Sequence, residues 1–336
     1  MRLGVALLVC VVIGSAGASP PHHTAGGFQN LAPTDHGGLD VTLPFFARRV
    51  WTTITGRSGR PPVVSNDGVF LRDNARHSIP TVTWIGHSTV LVQMDGVTFL
   101  TDPIWSERAS PFSFAGPKRL VEPGLPLEAL PPIDFVVVSH SHYDHTDVPT
   151  LVALARLGPT RFFVPLGLGA LLREAGVENV EELDWWDARP VGRVVVHCVP
   201  AQHWSARSPF DRNETLWGGW VVSGPTRRFY YAGDTGYFTG FGEIGERLGP
   251  FDLAAVPIGA YEPAAMMHWM HMNPEEAVRA AADLRASRVI GVHYGTFDLT
   301  DEPPDEPPGR FHTAAAALGR PADDTWTPPV GETRPW

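Results

Sequence analysis

From Thr81 the chain adopts a strand rhythm. Thr81-Val82-Thr83-Trp84, Thr89 to Met94 and Val97 to Leu100 are short β-branched and aromatic runs, separated by Gly86-His87 and Asp95-Gly96. Asp-Gly between two such runs is the turn chemistry of an antiparallel hairpin. Apolar runs of strand length recur at Ile133 to Ser139, Arg161 to Val164, Val194 to Val199, Trp217 to Ser223 and Phe229 to Ala232, and Arg288 to His293 reads as the last strand of the core. The spacing turns helical at Pro149 to Leu157 and Leu166 to Ala175, each closed by a glycine. Pro274 to Leu284 is a third helical stretch, with Asn273 as its cap and Glu275 and Glu276 in its first turn, and Phe311 to Leu318 a fourth. Strands, then helices, then strands again predict an α+β protein of two sheets with helices outside.

The ends lack that rhythm. Met1 to Ala18 has a basic start, an apolar run from Leu3 to Ile13 and then Ala16-Gly17-Ala18, the layout of an export signal; an uncleaved anchor or a buried helix shares that composition. The run is too short to span a bilayer comfortably. Residues 19 to about 40, rich in Pro, Gly, His and Ser, predict a flexible leader in which His22 and His23 are solvated. In Leu43 to Ile54 the side chains of Phe45, Phe46 and Trp51 neighbour Arg48 and Arg49, which suits either a short helix at a membrane surface or an arm packed on the domain. Residues 106 to 132 predict a long loop, Pro303 to Pro308 a stiff spacer and Thr325 onward a Pro-rich tail. The division expected is a signal over 1–18, a leader and arm over 19–80, and one domain over 81–330, since sandwiches reach about 250 residues as a single unit.

The 336 residues carry 26 Lys and Arg against 36 Asp and Glu, a formal charge of −10. No basic stripe with interleaved aromatics occurs, which argues against a nucleic-acid partner. Cys10 lies in the apolar start, so Cys198 is the one thiol left after cleavage and no internal disulfide can form. Its place in a strand run predicts a buried small hydrophobe. No internal repeat is visible, and the pattern specifies no oligomer.

The chemistry gathers at His140-Ser141-His142-Tyr143-Asp144-His145, directly after Val138-Ser139. His140 and His142 leave a strand end with their side chains facing the same way, and Asp144 and His145 follow in the next turn. Imidazoles and carboxylates are ligands of zinc and, with more oxygen donors, of iron or manganese. Donors this crowded cannot all reach one tetrahedral ion without strain, which favours two ions. His203, Asp234 and His293 each sit just past an apolar strand, where strand ends of one sheet rim converge. Asp102, ending the hairpin, is placed either to hold a ligand histidine from behind or simply to cap.

His140-x-His142-x-Asp144-His145 followed by His203, Asp234 and His293 resembles the metallo-β-lactamase superfamily, over roughly Val82 to His293. Within that span Thr83-Trp84-Ile85-Gly86-His87-Ser88-Thr89, Pro200-Ala201-Gln202-His203-Trp204, Leu216-Trp217-Gly218-Gly219-Trp220, Gly233-Asp234-Thr235-Gly236-Tyr237 and Pro257-Ile258-Gly259-Ala260-Tyr261-Glu262-Pro263 resemble the N-acyl-phosphatidylethanolamine phospholipase D branch. The resemblance implies a four-layer αβ/βα sandwich with two zinc ions between the sheets, iron or manganese being the alternatives. It puts His140, His142 and His203 on one ion, Asp144, His145 and His293 on the other, and Asp234 between them. The implied substrate is a phospholipid or small phosphodiester, attacked at phosphorus by a hydroxide shared between the ions and split into phosphatidic acid and an N-acylethanolamine.

Asp144 and His271 are the catalytic candidates. His271 matches a family histidine near the scissile phosphate and would bind phosphate, protonate the leaving group or merely cap the helix that follows. Gln202, Tyr261 and Met270 are candidates for orienting substrate, and Met266, Met267, Trp269 and Met270 suit either lipid access or core packing. A lactone or other ester hydrolase, or a metal- or lipid-binding protein without turnover, stays open, because the ligand set alone does not choose carbon or phosphorus. The signal implies an exported enzyme, periplasmic or secreted, within reach of a membrane surface.

Overall fold

The computed structural model describes residues 19–34, 38–55 and 59–336, so the expected export signal over 1–18 lies outside the described residues. A hairpin of β1 (His23–Thr24) and β2 (Gly27–Phe28) and two helices, α1 (Leu39–Thr55) and α2 (Val69–His77), come first. The first sheet then takes β3 (Thr81–Gly86), β4 (Thr89–Met94), β5 (Val97–Thr101), β6 (Phe135–Val137), β7 (Arg161–Pro165) and β8 (Val180–Leu183), with α3 (Val148–Leu157) and α4 (Gly169–Glu174) between its later strands. The second takes β9 (Ala188–Val191), β10 (Val194–Val199), β11 (Gly219–Ser223), β12 (Arg228–Tyr231), β13 (Phe251–Pro257), β14 (Ala286–Val292) and β15 (Thr325–Trp326). Among these lie α5 (Gly240–Leu248), α6 (Ala264–Met267), α7 (Pro274–Asp283) and α8 (Glu306–Ala317). Finally β16 (Thr333–Pro335) crosses back to β3, giving sheet orders β16-β3-β4-β5-β6-β7-β8 and β15-β14-β13-β12-β11-β10-β9.

Each sheet is antiparallel at one end and parallel at the other, from β5 to β8 and from β12 to β15. Parallel neighbours require a crossover, which helices supply everywhere except between β5 and β6. There the crossover is the long loop expected over 106–132. The facing sides are apolar: Trp84, Phe99 and Phe135 bury against Cys198, Trp220 and Phe229, and the Phe99 and Phe229 rings meet at 5.6 Å. The alternate residues Leu91, Leu100 and Val136 face outward and pack with Leu151, Leu154 and Leu172 of α3 and α4. Each such side chain, fully buried, contributes about 1.5–3 kcal/mol. The result is the four-layer αβ/βα sandwich, with Cys198 buried as expected.

Local chemistry explains the elements that match. Asp95 and Gly96 take φ of 48° and 85°, the mirror-image turn a right-twisted hairpin needs. Asn273 accepts from the Glu276 N–H at 2.8 Å while the Glu276 carboxylate accepts from the Asn273 N–H at 3.1 Å, a capping box that opens α7.

Three expectations need correction, and β13 went unread. Arg288 to His293 does not end the core, because the supposed tail supplies β15 and β16 as edge strands of the two sheets, where proline is tolerated. The second half of the supposed spacer at Pro303–Pro308 is already the start of α8, which opens at Glu306 and whose first positions lose nothing when proline lacks an N–H. β13, in the middle of the second sheet, carries little strand signal: Ala254 and Ala255 are poor strand formers, and a strand buried on both faces shows no alternation. Lastly, the leader is packed rather than flexible. His22 is 5 % exposed, and His22 and His23 hydrogen-bond Asp184 at 2.7 and 2.8 Å, so they are not simply solvated.

Candidate metal centre

The six-residue loop after β6 starts at the rim between the sheets. Its first residue is fixed by the Thr146 hydroxyl, which donates to the His140 carbonyl at 2.6 Å, and its base by the Trp220 indole, which donates to the Val138 carbonyl at 3.0 Å. His140 Nε2 and His142 Nδ1 come within 2.8 Å, and His203 Nε2, arriving from beyond β10, stands 3.3 Å from the same His142 nitrogen. Behind this first triad the His203 Nδ1–H donates to the Met270 carbonyl at 2.9 Å, which sets the ring so that Nε2 faces inward.

A second group forms beside it. His145 Nε2 and His293 Nε2 lie 3.4 and 3.5 Å from Asp144 Oδ2. His145 Nδ1–H donates to Asp102 at 2.5 Å, the backing role expected for that aspartate, and the Tyr231 hydroxyl and Ser139 also hold Asp102. Asp234 stands between the groups. Its Oδ2 is 3.1 Å from both His145 and His293 Nε2, and 3.9 Å from His140 Nε2, His203 Nε2 and His271 Nδ1. The seven residues singled out in the sequence are thus gathered in one place, His140, His142 and His203 in one cluster and Asp144, His145 and His293, together with His87, in another.

Electrostatics fit a cationic guest. Burial lowers the pKa of His140 and His203, and that of His142 to about 4, so these rings are neutral and offer lone pairs. Burial also acts against charge on His145, but the carboxylates of Asp234, Asp144 and Asp102 outweigh it and hold that ring well above its ordinary range. The same balance lifts His293 to about 9. Protons there stand in for positive charge that metal ions would bring. His145 Nε2 and His293 Nε2, both facing Asp234, and Asp234 Oδ1 are buried without hydrogen-bond partners. Unpaired buried polar atoms of this kind are expensive unless something else occupies the space, so the donor set fits metal ions.

Exposure gives the centre a direction. His140, His145, His203, Asp234 and His293 are buried, whereas His142, Tyr143, Asp144 and His271 are partly open, so this is the side of the centre that solvent reaches. A cleft of about 560 Å³ adjoins this side through Tyr143 and is lined also by Arg108, Phe112, Asp147 and Arg207. His271 lies outside that cleft, partly open; burial of the ring lowers its pKa to about 4, and its Nδ1 has no hydrogen-bond partner. Tyr261 donates its hydroxyl to Glu306 at 2.9 Å and shares a small recess with His271 and Arg310. The Gln202 side chain reaches back to the Pro33 carbonyl at 3.3 Å. Met270 packs with Phe45, Met267 and Trp269, and its sulfur accepts from the Trp204 indole at 3.1 Å.

Two functional residues escaped the sequence reading. His87 Nε2–H donates to Asp144 Oδ2 at 2.9 Å and so aims that carboxylate; its strand-end position beside Gly86 was the available signal. Asn30 brackets the His203 backbone, donating to its carbonyl at 2.7 Å and accepting its N–H at 3.1 Å, and nothing in the leader's composition announces it. Strain also marks the site: Asp102, His87 and His293 have φ of 33°, 52° and 61°, uncommon for residues other than glycine.

A family profile described as a beta-lactamase superfamily domain matches residues 98–294. A Caenorhabditis elegans protein named N-acyl-phosphatidylethanolamine-hydrolyzing phospholipase D 1 is 48% identical over 282 residues, covering 81% of this chain and 73% of its own. A mitochondrial protein of the same designation from Saccharomyces cerevisiae is 34% identical, over 75% of this chain and 55% of its own. Among solved structures, a metallo hydrolase from the archaeon Ignicoccus hospitalis superposes with a TM-score of 0.59 at 24% identity, over 76% of this chain and 98% of that one, which speaks to the fold.

Proposed function

This chain belongs to the metallo-β-lactamase superfamily, and from that premise we propose that it is a dinuclear zinc phosphodiesterase that hydrolyses N-acyl-phosphatidylethanolamine-like phospholipids in the manner of a phospholipase D. The observation that carries the reading is the single oxygen of Asp234 flanked by both ligand groups, 3.1 Å from His145 and His293 and 3.9 Å from His140 and His203. A shared carboxylate in that position suits a pair of ions, and five imidazoles with two carboxylates suit zinc. The worm and yeast relatives, both named for cleavage of this lipid class, support the substrate.

A zinc pair held by His140, His142, His203, Asp144, His145, His293 and Asp234 would supply a water activated near neutral pH and positive charge for the phosphate oxygens. The chain's own residues do the rest. Asp144, aimed by His87, and Asp234 keep two negative charges beside the reacting phosphate, so only a metal-loaded site tolerates an anionic substrate. His271, neutral and partly open to solvent, offers one ring N–H to a phosphoryl oxygen or to the departing alkoxide. The apolar wall of Phe45, Met266, Met267 and Trp269 is soft enough to adapt to acyl chains. Residues 1–18 are taken as an export signal that delivers the enzyme beyond the cytoplasm; amino-terminal sequencing of secreted protein beginning at Ser19 would support this, and an intact Met1 end would refute it.

The test pairs a chromogenic phosphodiester with a chromogenic lactone, each with and without chelator. Phosphodiester cleavage that disappears with chelator and returns with zinc is expected. Turnover of the lactone alone would replace the substrate class, and turnover of neither would make the protein a binder.

A further inference from the structure

We propose that His22, His23 and Asp184 form a further divalent-cation site, at the periphery and sharing no ligand with the central one. Neighbouring side chains of an extended segment normally point to opposite sides. Here a turn, closed by the His23 N–H donating to the Pro20 carbonyl at 2.9 Å, swings both imidazoles to one side. Their rings meet edge to face at 4.6 Å, and each Nε2 addresses a different oxygen of the same carboxylate, at 2.7 and 2.8 Å. The three donor atoms lie within 4.8 Å of one another, close enough for one ion to replace the two N–H protons and take all three.

The surroundings are those of a built site. Trp185 stacks on the His22 ring at 4.2 Å and its backbone N–H donates to Asp184 Oδ1 at 2.8 Å, so both ring and carboxylate are oriented from behind. The His22 side chain is 6 % exposed but His23 and Asp184 are 27 % and 20 % exposed, which leaves a path for the ion and room for water to complete its shell. Two imidazoles and one carboxylate select zinc, nickel or copper over magnesium or calcium. The consequence reaches the central site through the chain itself. The ion would pin the β1–β2 hairpin, and Asn30, two residues beyond β2, brackets the backbone of His203.

The experiment compares purified holoenzyme with a His22→Gln/His23→Gln variant, whose amides still hydrogen-bond Asp184 and keep the strap docked but are poor metal ligands. Both are equilibrated with zinc alone, desalted and analysed for zinc per chain. In parallel, amide hydrogen exchange over residues 20–34 is followed as zinc is added. The wild type is expected to hold about one zinc per chain more than the variant and to show slower exchange in that segment on zinc addition, a response absent from the variant. Equal zinc in both, or exchange indifferent to zinc in the wild type, would overturn the proposal and leave a hydrogen-bonded latch. Because the glutamines keep the hairpin docked and Asn30 in place on His203, the central site loads alike in both proteins, and the difference in zinc reports the peripheral site whatever number of ions the central one holds.

Discussion

The two sides of the central site are assembled in opposite ways. The first sheet delivers His140, His142, Asp144 and His145 from a single loop after β6, whereas the second delivers His203, Asp234 and His293 one at a time from beyond β10, β12 and β14. The loop donors are held largely by neighbours in their own rim, through Thr146, Ser139 and Asp102. The scattered donors depend on remote parts: Asn30 and Met270 on His203, and the His87 carbonyl on the His293 N–H at 3.0 Å. A local cluster is close to correct once one strand and its loop form; the scattered set is correct only when the whole sandwich has closed. Substitutions on the two sides should therefore differ in what they damage.

The largest effect belongs to the residue common to both sides. Asp234→Ala should reduce hydrolysis by roughly a thousandfold or more, about 4 kcal/mol of transition-state stabilisation, and lower metal content on both sides. Elemental analysis of the folded variant checks it, and full occupancy would break the idea of a shared carboxylate. Next, Asp102→Asn removes the carboxylate behind His145 while keeping its shape, and metal affinity should fall about 10–100-fold on that side. Asn30→Ala should weaken affinity less, by about 10-fold at most, because Met270 still orients the His203 ring. Competitive chelator titrations rank the two, and a larger loss for Asn30→Ala would reverse the contrast drawn between local and scattered support. Smallest is Cys198→Ala in β10, which opens a small cavity in the buried cluster and should cost about 1 kcal/mol of stability with metal content unchanged, read by thermal unfolding.

The same contrast explains what the sequence made legible. The loop ligands were readable because they are contiguous, and His203, Asp234 and His293 because each follows an apolar run and matches the family's order. Both hairpin strands around Asp95-Gly96 and the capped start of α7 were readable because their signals are local. Asn30, His22 and His23 were not, since a short Pro- and Gly-rich stretch takes its order from partners 161 to 187 positions away, which it meets only in the folded state. The edge strands β15 and β16 were hidden for a related reason, being short segments whose strand character comes from the sheets they complete. α5 was masked by Gly240, Gly242 and Gly245, residues that weaken a helical pattern without preventing the helix when its apolar side is buried.

The most direct measurement of the central claim is hydrolysis of N-acyl-phosphatidylethanolamine in heavy-oxygen water, with both products weighed by mass spectrometry. Attack at phosphorus predicts heavy oxygen in phosphatidic acid, an unlabelled N-acylethanolamine, and no products once metal is stripped. Label in a released fatty acid, or no cleavage by zinc-loaded enzyme, would contradict it.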